Sequence, residues 1–266
     1  MRPLLLIQTG EAPEAIHARF GGFADWFRHA MRLEPTQLRV VRVDAGEPLP
    51  RPREVAGAVI TGSAAMVTER ADWSERTAGW IRDAVDTQTP LFGVCYGHQL
   101  MAHALGGTVG WLPHGREIGT QTITRQESSG RGREIGTHTV TRGGNADGGW
   151  MDGLPVSFAA HTTHRQSVLV PPPDAEVLAR SELDPYQMLR HAPHAFSSQF
   201  HPEFTAAAMR AYIVARTDAL REEGLDPVAL EADVRETEAA RALLERFAHK
   251  ALASDEVRAI ESQPLS

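Results

Sequence analysis

The sequence predicts an α/β fold: an open, mostly parallel sheet flanked by helices, with an added antiparallel strand region and C-terminal helices. Three observations predict it. Apolar runs at residues 3–8, 57–61 and 90–94 have the length and continuity of strands buried on both faces, the pattern left by helices packed on either side of a parallel sheet. Segments 20–31 and 73–86 between these runs repeat apolar residues at helical spacing. Beyond residue 107 the alternation gives way to consecutive short strand patterns, and from Thr205 onward the chain reads as helical.

Residues 3–8 end in Thr9-Gly10 and begin the sheet. Phe23, Trp26, Phe27 and Ala30 place one side of the 20–31 helix on it. Residues 37–43 form a second strand, Pro48, Pro50 and Pro52 mark an extended surface connection, and residues 57–61 form a third strand. Trp73, Trp80, Ile81, Ala84 and Val85 make the inner side of helix 73–86, which returns the chain to strand 90–94. A helix over 98–105 follows, closed by Gly106 and Gly107. The string Gly-Arg-Glu-Ile-Gly-Thr then occurs twice, at 115–120 and 132–137, each copy leading into alternating Thr-rich residues, 121–125 and 138–142. Both copies read as edge-like strands joined by a hairpin loop at 126–131. A local duplication that extends the sheet accounts for the repeat; a lid or partner surface beside the site is the functional alternative. Strands at 156–160, 176–181, 187–191 and 195–200 complete the sheet. Helix 207–220 packs on it, residues 228–253 form an amphipathic helix, and 254–266 form a loosely held tail.

Chemistry concentrates at Gly93-Val-Cys-Tyr-Gly-His-Gln99, which holds the only cysteine. Cys95 stands where a strand turns into a helix, with Gly93 and Gly97 two residues to either side. This is the spacing of a nucleophile elbow, in which a strained turn pushes one side chain into the open. A helix N-terminus beneath the sulfur favours thiolate over thiol. The second signal is Gln199-Phe-His-Pro-Glu203. Pro202 keeps His201 out of a helix and places the trio at a strand's end, where His201 and Glu203, two residues apart, point to the same side. That is the arrangement of a base and its orienter: His201 takes the proton from Cys95, and Glu203 fixes the imidazole tautomer. A third loop, Ile60-Thr-Gly-Ser63, ends a strand on the same edge of the sheet, where open α/β folds collect their ligands.

With these residues in hand, the chain resembles a class I glutamine amidotransferase domain of the triad type over residues 3–215. Its features are the Cys-x-Gly-His-Gln elbow, the late His-Pro-Glu and the weaker Ile60–Ser63 oxyanion loop. More narrowly it is similar to stand-alone, GMP-synthase-like amidotransferases, whose relatives include plant γ-glutamyl peptidases. The resemblance implies a flavodoxin-like domain at 1–215 with a helical extension at 216–266 packed on it. It also implies a Cys95-His201-Glu203 triad, an oxyanion hole from the Gly62 and Tyr96 N–H groups, and substrate contacts from Gln99, His164 and Gln166. Tyr96 stands where leucine is commoner, but only its backbone is required there. His161-Thr-Thr-His-Arg-Gln-Ser-Val168 occupies the place of the family's Ser-His-Gly-Asp loop, with Arg165 and Gln166 replacing the glycine and the acid. The implied reaction is hydrolysis of the glutamine side-chain amide through a γ-glutamyl thioester, with ammonia passed to an acceptor on another chain. The alternative is a γ-glutamyl peptide hydrolase using water as acceptor.

Composition narrows the field further. The net charge is -7, and no basic block interleaves with aromatics, so nucleic acid is not expected as a partner. A single cysteine excludes an intramolecular disulfide and a thiolate-rich zinc site, and no apolar stretch is long enough to span a bilayer. A cytoplasmic enzyme is expected. The only lysine is Lys250, and no Gly-x-x-x-x-Gly-Lys-Ser/Thr occurs, which excludes a P-loop. His161 with His164, and His191 with His194, can be read as metal ligands, but no cysteine or paired carboxylate accompanies them. Loop or supporting roles are expected instead, with no metal and no cofactor.

Overall fold

A computed structural model describes residues 2–126, 151 and 153–261. The chain runs β1 (Leu4–Gln8), α1 (Glu14–Phe20), α2 (Phe23–Ala30), β2 (Leu38–Arg42), β3 (Gly57–Ile60), α3 (Asp72–Asp86), β4 (Leu91–Val94), α4 (Tyr96–Ala104), β5 (Thr108–Trp111) and β6 (Glu117–Arg125). It continues through β7 (Ser157–His164), β8 (Gln166–Val170), β9 (Glu176–Arg180), β10 (Met188–Ala192), β11 (Ala195–Ser198), α5 (Ala206–Ala215), α6 (Thr217–Glu222), α7 (Pro227–Ala232) and α8 (Glu238–Glu261).

Nine strands form one sheet in the order β2-β1-β3-β4-β11-β10-β9-β6-β7. From β2 to β11 the pairs are parallel, and from β11 to β7 they are antiparallel. β5 and β8 make a separate antiparallel pair. Successive side chains on a strand face opposite ways, so the unbroken apolar run in β1 feeds two cores at once. Leu4 and Leu6 join Phe27, Phe204, Ile213 and Phe247 on one face, while Leu5 and Ile7 join Ile60, Ile81 and Leu100 on the other. Helices α2, α5 and α8 therefore cover one side and α3 and α4 the other, as the apolar runs predict.

Several expected elements are placed differently. The helix expected over 20–31 is α2, which starts only at Phe23, because Gly21, with φ +80°, and Gly22 part it from α1, a helix the sequence reading did not place. The elbow helix starts at Tyr96, directly after the cysteine, and not at His98. The first copy of the repeat does form a strand, β6, but it is not an edge: it lies between β9 and β7. Its hairpin partner is β7, with Glu117 opposite His164 and Thr124 opposite Ser157. The second copy, the hairpin loop and the strand expected at 138–142 fall largely or wholly outside the described residues. Residues 161–164, expected in a loop, continue β7 because β6 supplies a ladder partner for each of them. The 207–220 helix breaks at Arg216.

The 228–253 helix is interrupted between α7 and α8, for a tertiary reason. Arg210 donates to the Val234 carbonyl, His161 Nε2 donates to the Arg235 carbonyl, and Arg235 N–H donates to Thr120 Oγ1. These bonds engage backbone groups that a continuous helix would use itself. α8 then lies against β1, β3 and β7. Among the described residues no helix is long and apolar enough to cross a membrane.

Candidate active site

β3, β4 and β11 are neighbours in the sheet and run the same way, so the residues after their carboxyl ends meet: Thr61-Gly62, Cys95 and His201. At the elbow, Cys95 has φ +51° and ψ -98°, a conformation that costs a non-glycine residue about 1–3 kcal/mol. Its N–H donates to the Ser198 carbonyl at 2.8 Å, and Gly97 N–H donates to the Thr61 carbonyl at 3.2 Å, so β11 and β3 together hold the turn. Both glycines are sterically required. A Cβ on Gly93 would stand 2.6 Å from the Gly97 carbonyl oxygen, and one on Gly97 would stand 2.5 Å from the Ile60 oxygen.

The sulfur is less open than the elbow motif suggests. Cys95 is 7% exposed, because Gly62 and His201 crowd it: a Cβ on Gly62 would lie 3.6 Å from the Cys95 Cβ and 3.1 Å from His201 Cε1. His201 Nδ1 donates to Glu203 Oε1 at 2.7 Å, which leaves Nε2 buried and without a hydrogen-bond partner among the described residues. The ring also stacks on Phe204, with centroids 4.2 Å apart. Burial, the largest single cause, pushes the Cys95 thiol up, but the His201 charge and ring N–H together with a smaller pull from His164 outweigh it, and the net shift is downward. For His201 burial opposes the charged ring; Glu203 and the Cys95 thiolate overcome it and raise its pKa. Both shifts favour the thiolate–imidazolium form of the pair.

The Gly62 and Tyr96 N–H groups make no hydrogen bond with the described residues and remain free to donate. Thr9 Oγ1 donates to the Thr61 and Gly62 carbonyls, 3.0 Å each, and this holds the loop's carbonyl oxygens on the side of β1. The Tyr96 side chain points away, its hydroxyl donating to Ser74 Oγ at 2.6 Å.

A cleft of about 360 Å³ opens at Cys95, with Ser63, Met66, Gln99, His164, Gln166 and Arg216 in its walls. Gln99 lines it, but its amide N–H groups already serve the Gln166 carbonyl at 2.7 Å and Gln199 Oε1 at 3.0 Å. Gln166 Nε2 donates to Thr68 Oγ1, and its Oε1 is buried and unpartnered. His164 is held between two acceptors, the Glu117 carboxylate at 2.8 Å from Nε2 and the Gln166 carbonyl at 3.1 Å from Nδ1. Two acceptors on the two ring nitrogens favour the doubly protonated, charged ring. Burial works against that charge, but the Glu117 bond and charge raise the pKa.

Sequence reasoning did not find Glu117 or Arg216. Glu117 is 47 residues from His164 and is brought opposite it only by the β6–β7 register. The break between α5 and α6 lies at Arg216 itself. Other buried histidines do structural work: His98 Nδ1 and His191 Nε2 share the Ser197 hydroxyl at 2.7 and 2.8 Å behind the elbow, and burial lowers the pKa of both. His194 donates to the Val85 carbonyl. Among the described residues, no three His, Cys, Asp or Glu side chains are grouped to hold a metal ion.

Residues 20–218 match the family model for glutamine amidotransferase class-I. The chain is 30% identical over 203 residues to the glutamine-hydrolysing GMP synthase of Aeropyrum pernix, covering 74% of this chain and 34% of that protein. It therefore spans about a third of that relative's length. It is 27% identical over 194 residues to γ-glutamyl peptidase 3 of Arabidopsis thaliana, covering 72% of each chain. A crystal structure of a glutamine amidotransferase from Thermotoga maritima shares the fold, with a TM-score of 0.68 at 20% identity over 95% of this chain and 99% of that one.

Proposed function

The chain belongs to the class I glutamine amidotransferase family, and on that premise we propose that it is a cysteine-dependent glutaminase whose nucleophile is Cys95. The observation that carries the proposal is the meeting of three strand ends: a strained Cys95, an imidazole tied to Glu203 at 2.7 Å, and the free Gly62 and Tyr96 N–H groups. In the proposed reaction the Cys95 thiolate attacks the side-chain amide carbon of glutamine. The resulting oxyanion is received by Gly62 and Tyr96 N–H. The carbon–nitrogen bond breaks as His201 Nε2 gives its proton to the leaving nitrogen, and ammonia departs. Water then attacks the γ-glutamyl thioester, surrenders a proton to His201, and releases glutamate and the thiolate. Removing one well-aimed oxyanion donor costs about 3–4 kcal/mol of transition-state stabilisation, so the loop at Gly62 matters nearly as much as the triad.

In the substrate complex, Gln166 Oε1 accepts from the substrate ammonium and the α-carboxylate is drawn by the charge of the His164 ring, whose N–H groups stay on Glu117 and the Gln166 carbonyl, with Gln99 also holding that carbonyl in place. The ammonia serves a synthetase on another chain. A second reading, hydrolysis of γ-glutamyl peptides with water as acceptor, is favoured by the surplus of positive charge in the cleft, where Arg116, Arg165 and Arg216 accompany His164. Glutamate release by the purified protein from glutamine and from γ-glutamyl peptides tests both readings. Cys95→Ala is expected to abolish release from either while unfolding at the wild-type urea concentration. Steady-state activity retained in Cys95→Ala would rule out the thioester.

A further inference from the structure

A glutamine molecule leaves much of the cleft unused. Its leaving group is ammonia, and its single carboxylate needs at most one cationic partner. The cleft holds four cationic side chains, and no carboxylate of the described residues lines it. His164 is balanced from behind by Glu117. Arg116 forks onto Glu223 at 2.7 and 2.8 Å. Arg165 and Arg216 have no carboxylate within ion-pair distance among the described residues, although Arg165 adds its charge to that of Arg116 in lowering the Glu223 pKa. Arg216 lies over the Tyr212 ring at 4.6 Å with Nη1 buried and unbonded, and Arg165, at the corner between β7 and β8, lies over Trp111 at 5.1 Å. The three guanidinium groups are close enough that Arg116 and Arg165 oppose the charge on Arg216, although burial is the larger cause of its lowered pKa.

Arg116 and Arg165 also form the wall shared with an adjoining pocket of about 300 Å³, whose other sides include Trp111, Leu112, His114, Leu225 and Glu223, the last already held by Arg116. The way out from Cys95 thus passes two arginines into a partly apolar chamber. We propose that this chamber is a subsite for the amine-side fragment of the acyl donor, and that the fragment carries a carboxylate received by Arg165. The substrate class is then a γ-glutamyl conjugate of an amino acid or peptide, its hydrocarbon resting on Trp111 and Leu112. This deepens the peptide-hydrolysing reading of the Cys95 site and rests on the same γ-glutamyl orientation. The bond broken is the γ-amide, and the released amine takes its proton from His201.

Binding to Cys95→Ala protein, which does not depend on turnover, tests the subsite. By titration calorimetry γ-glutamylglutamate should bind about tenfold or more tightly than the uncharged γ-glutamylmethylamide, the difference expected of one charge-assisted hydrogen-bonded pair. Adding Arg165→Gln should reduce the dipeptide's affinity by about tenfold and narrow the gap between the two ligands, while Arg165→Lys retains part of it. Equal affinities, or a Gln variant that weakens both ligands alike, overturn the proposal. Turnover of the same two compounds by the wild-type protein judges the thioester separately. Activity that survives Cys95→Ala defeats the thioester while the affinity comparison still decides the subsite.

Discussion

At Cys95 two large effects of opposite sign act on one proton. Burial, the largest single cause, favours the neutral thiol; His201, helped by a smaller pull from His164, favours the thiolate and prevails, and the thiol titrates below its ordinary 9.0. The sign of a mutation follows. In His201→Gln the favourable charge is gone, whereas burial, the largest cause, and Glu203 remain, both raising the pKa against only the smaller pull of His164. The rate of iodoacetamide alkylation, which follows the thiolate fraction, should climb through a limb below pH 9.0 in the wild type and through one above pH 9.0 in the variant. Coincident limbs would show that His201 does not set the charge on the sulfur. Cys95, His201 and Glu203 were singled out in the sequence because their evidence is local: two glycines around a cysteine, and a proline between a histidine and a glutamate. Glu117 and Arg216 gave no such sign. A carboxylate in a Thr-rich strand and an arginine in a helical stretch look like solvated side chains until the register of β6 on β7 and the break after α5 place them at the cleft.

Among elements, the strand–turn–helix of β4 and α4 is held most tightly, because its turn is strained at Cys95 and backbone lies against backbone on both sides of it. A Cβ at position 97 would meet the Ile60 oxygen at 2.5 Å and the Ile60 Cβ at 2.9 Å, neither at the end of a flexible side chain. Gly97→Ala is therefore expected to destabilise the fold by about 1–3 kcal/mol, read from the urea midpoint. It should also lower glutamate release, since β3, which would be pushed away, carries Thr61 and Gly62. An unchanged midpoint would show that the two backbones can separate without cost. Elements read from apolar periodicity, β1, β3, β4 and α3, lie within a residue of where the pattern puts them, because burial on both faces of a sheet leaves an unbroken apolar run. The antiparallel half was legible only as strands. Its pairing was not, since a period of two says which face a residue takes and nothing about which neighbour it meets.

For the whole molecule, α8 completes the layer that covers the β1, β3 and β4 side of the sheet. Phe247 is 4% exposed and packs on Phe92 of β4 at 5.6 Å between centroids, one strand position from the glycine of the elbow. Phe247→Ala should cost about 3–5 kcal/mol, seen as a lower urea midpoint with an unchanged slope. A much smaller loss would mean that α8 contributes little to the core. The amphipathic pattern of this segment showed that it needs an apolar surface but not which one; the structure supplies it from its own sheet. By itself the sequence determined the alternating α/β half, the elbow at Cys95 and the local pairing of His201 with Glu203, because each depends on residues within one turn or strand. Only the tertiary structure decided that β3, β4 and β11 lie side by side, that Glu117 backs His164, and that three arginines face one cleft. Those facts depend on strand order and on where helices break, which contacts between residues tens to more than a hundred positions apart determine.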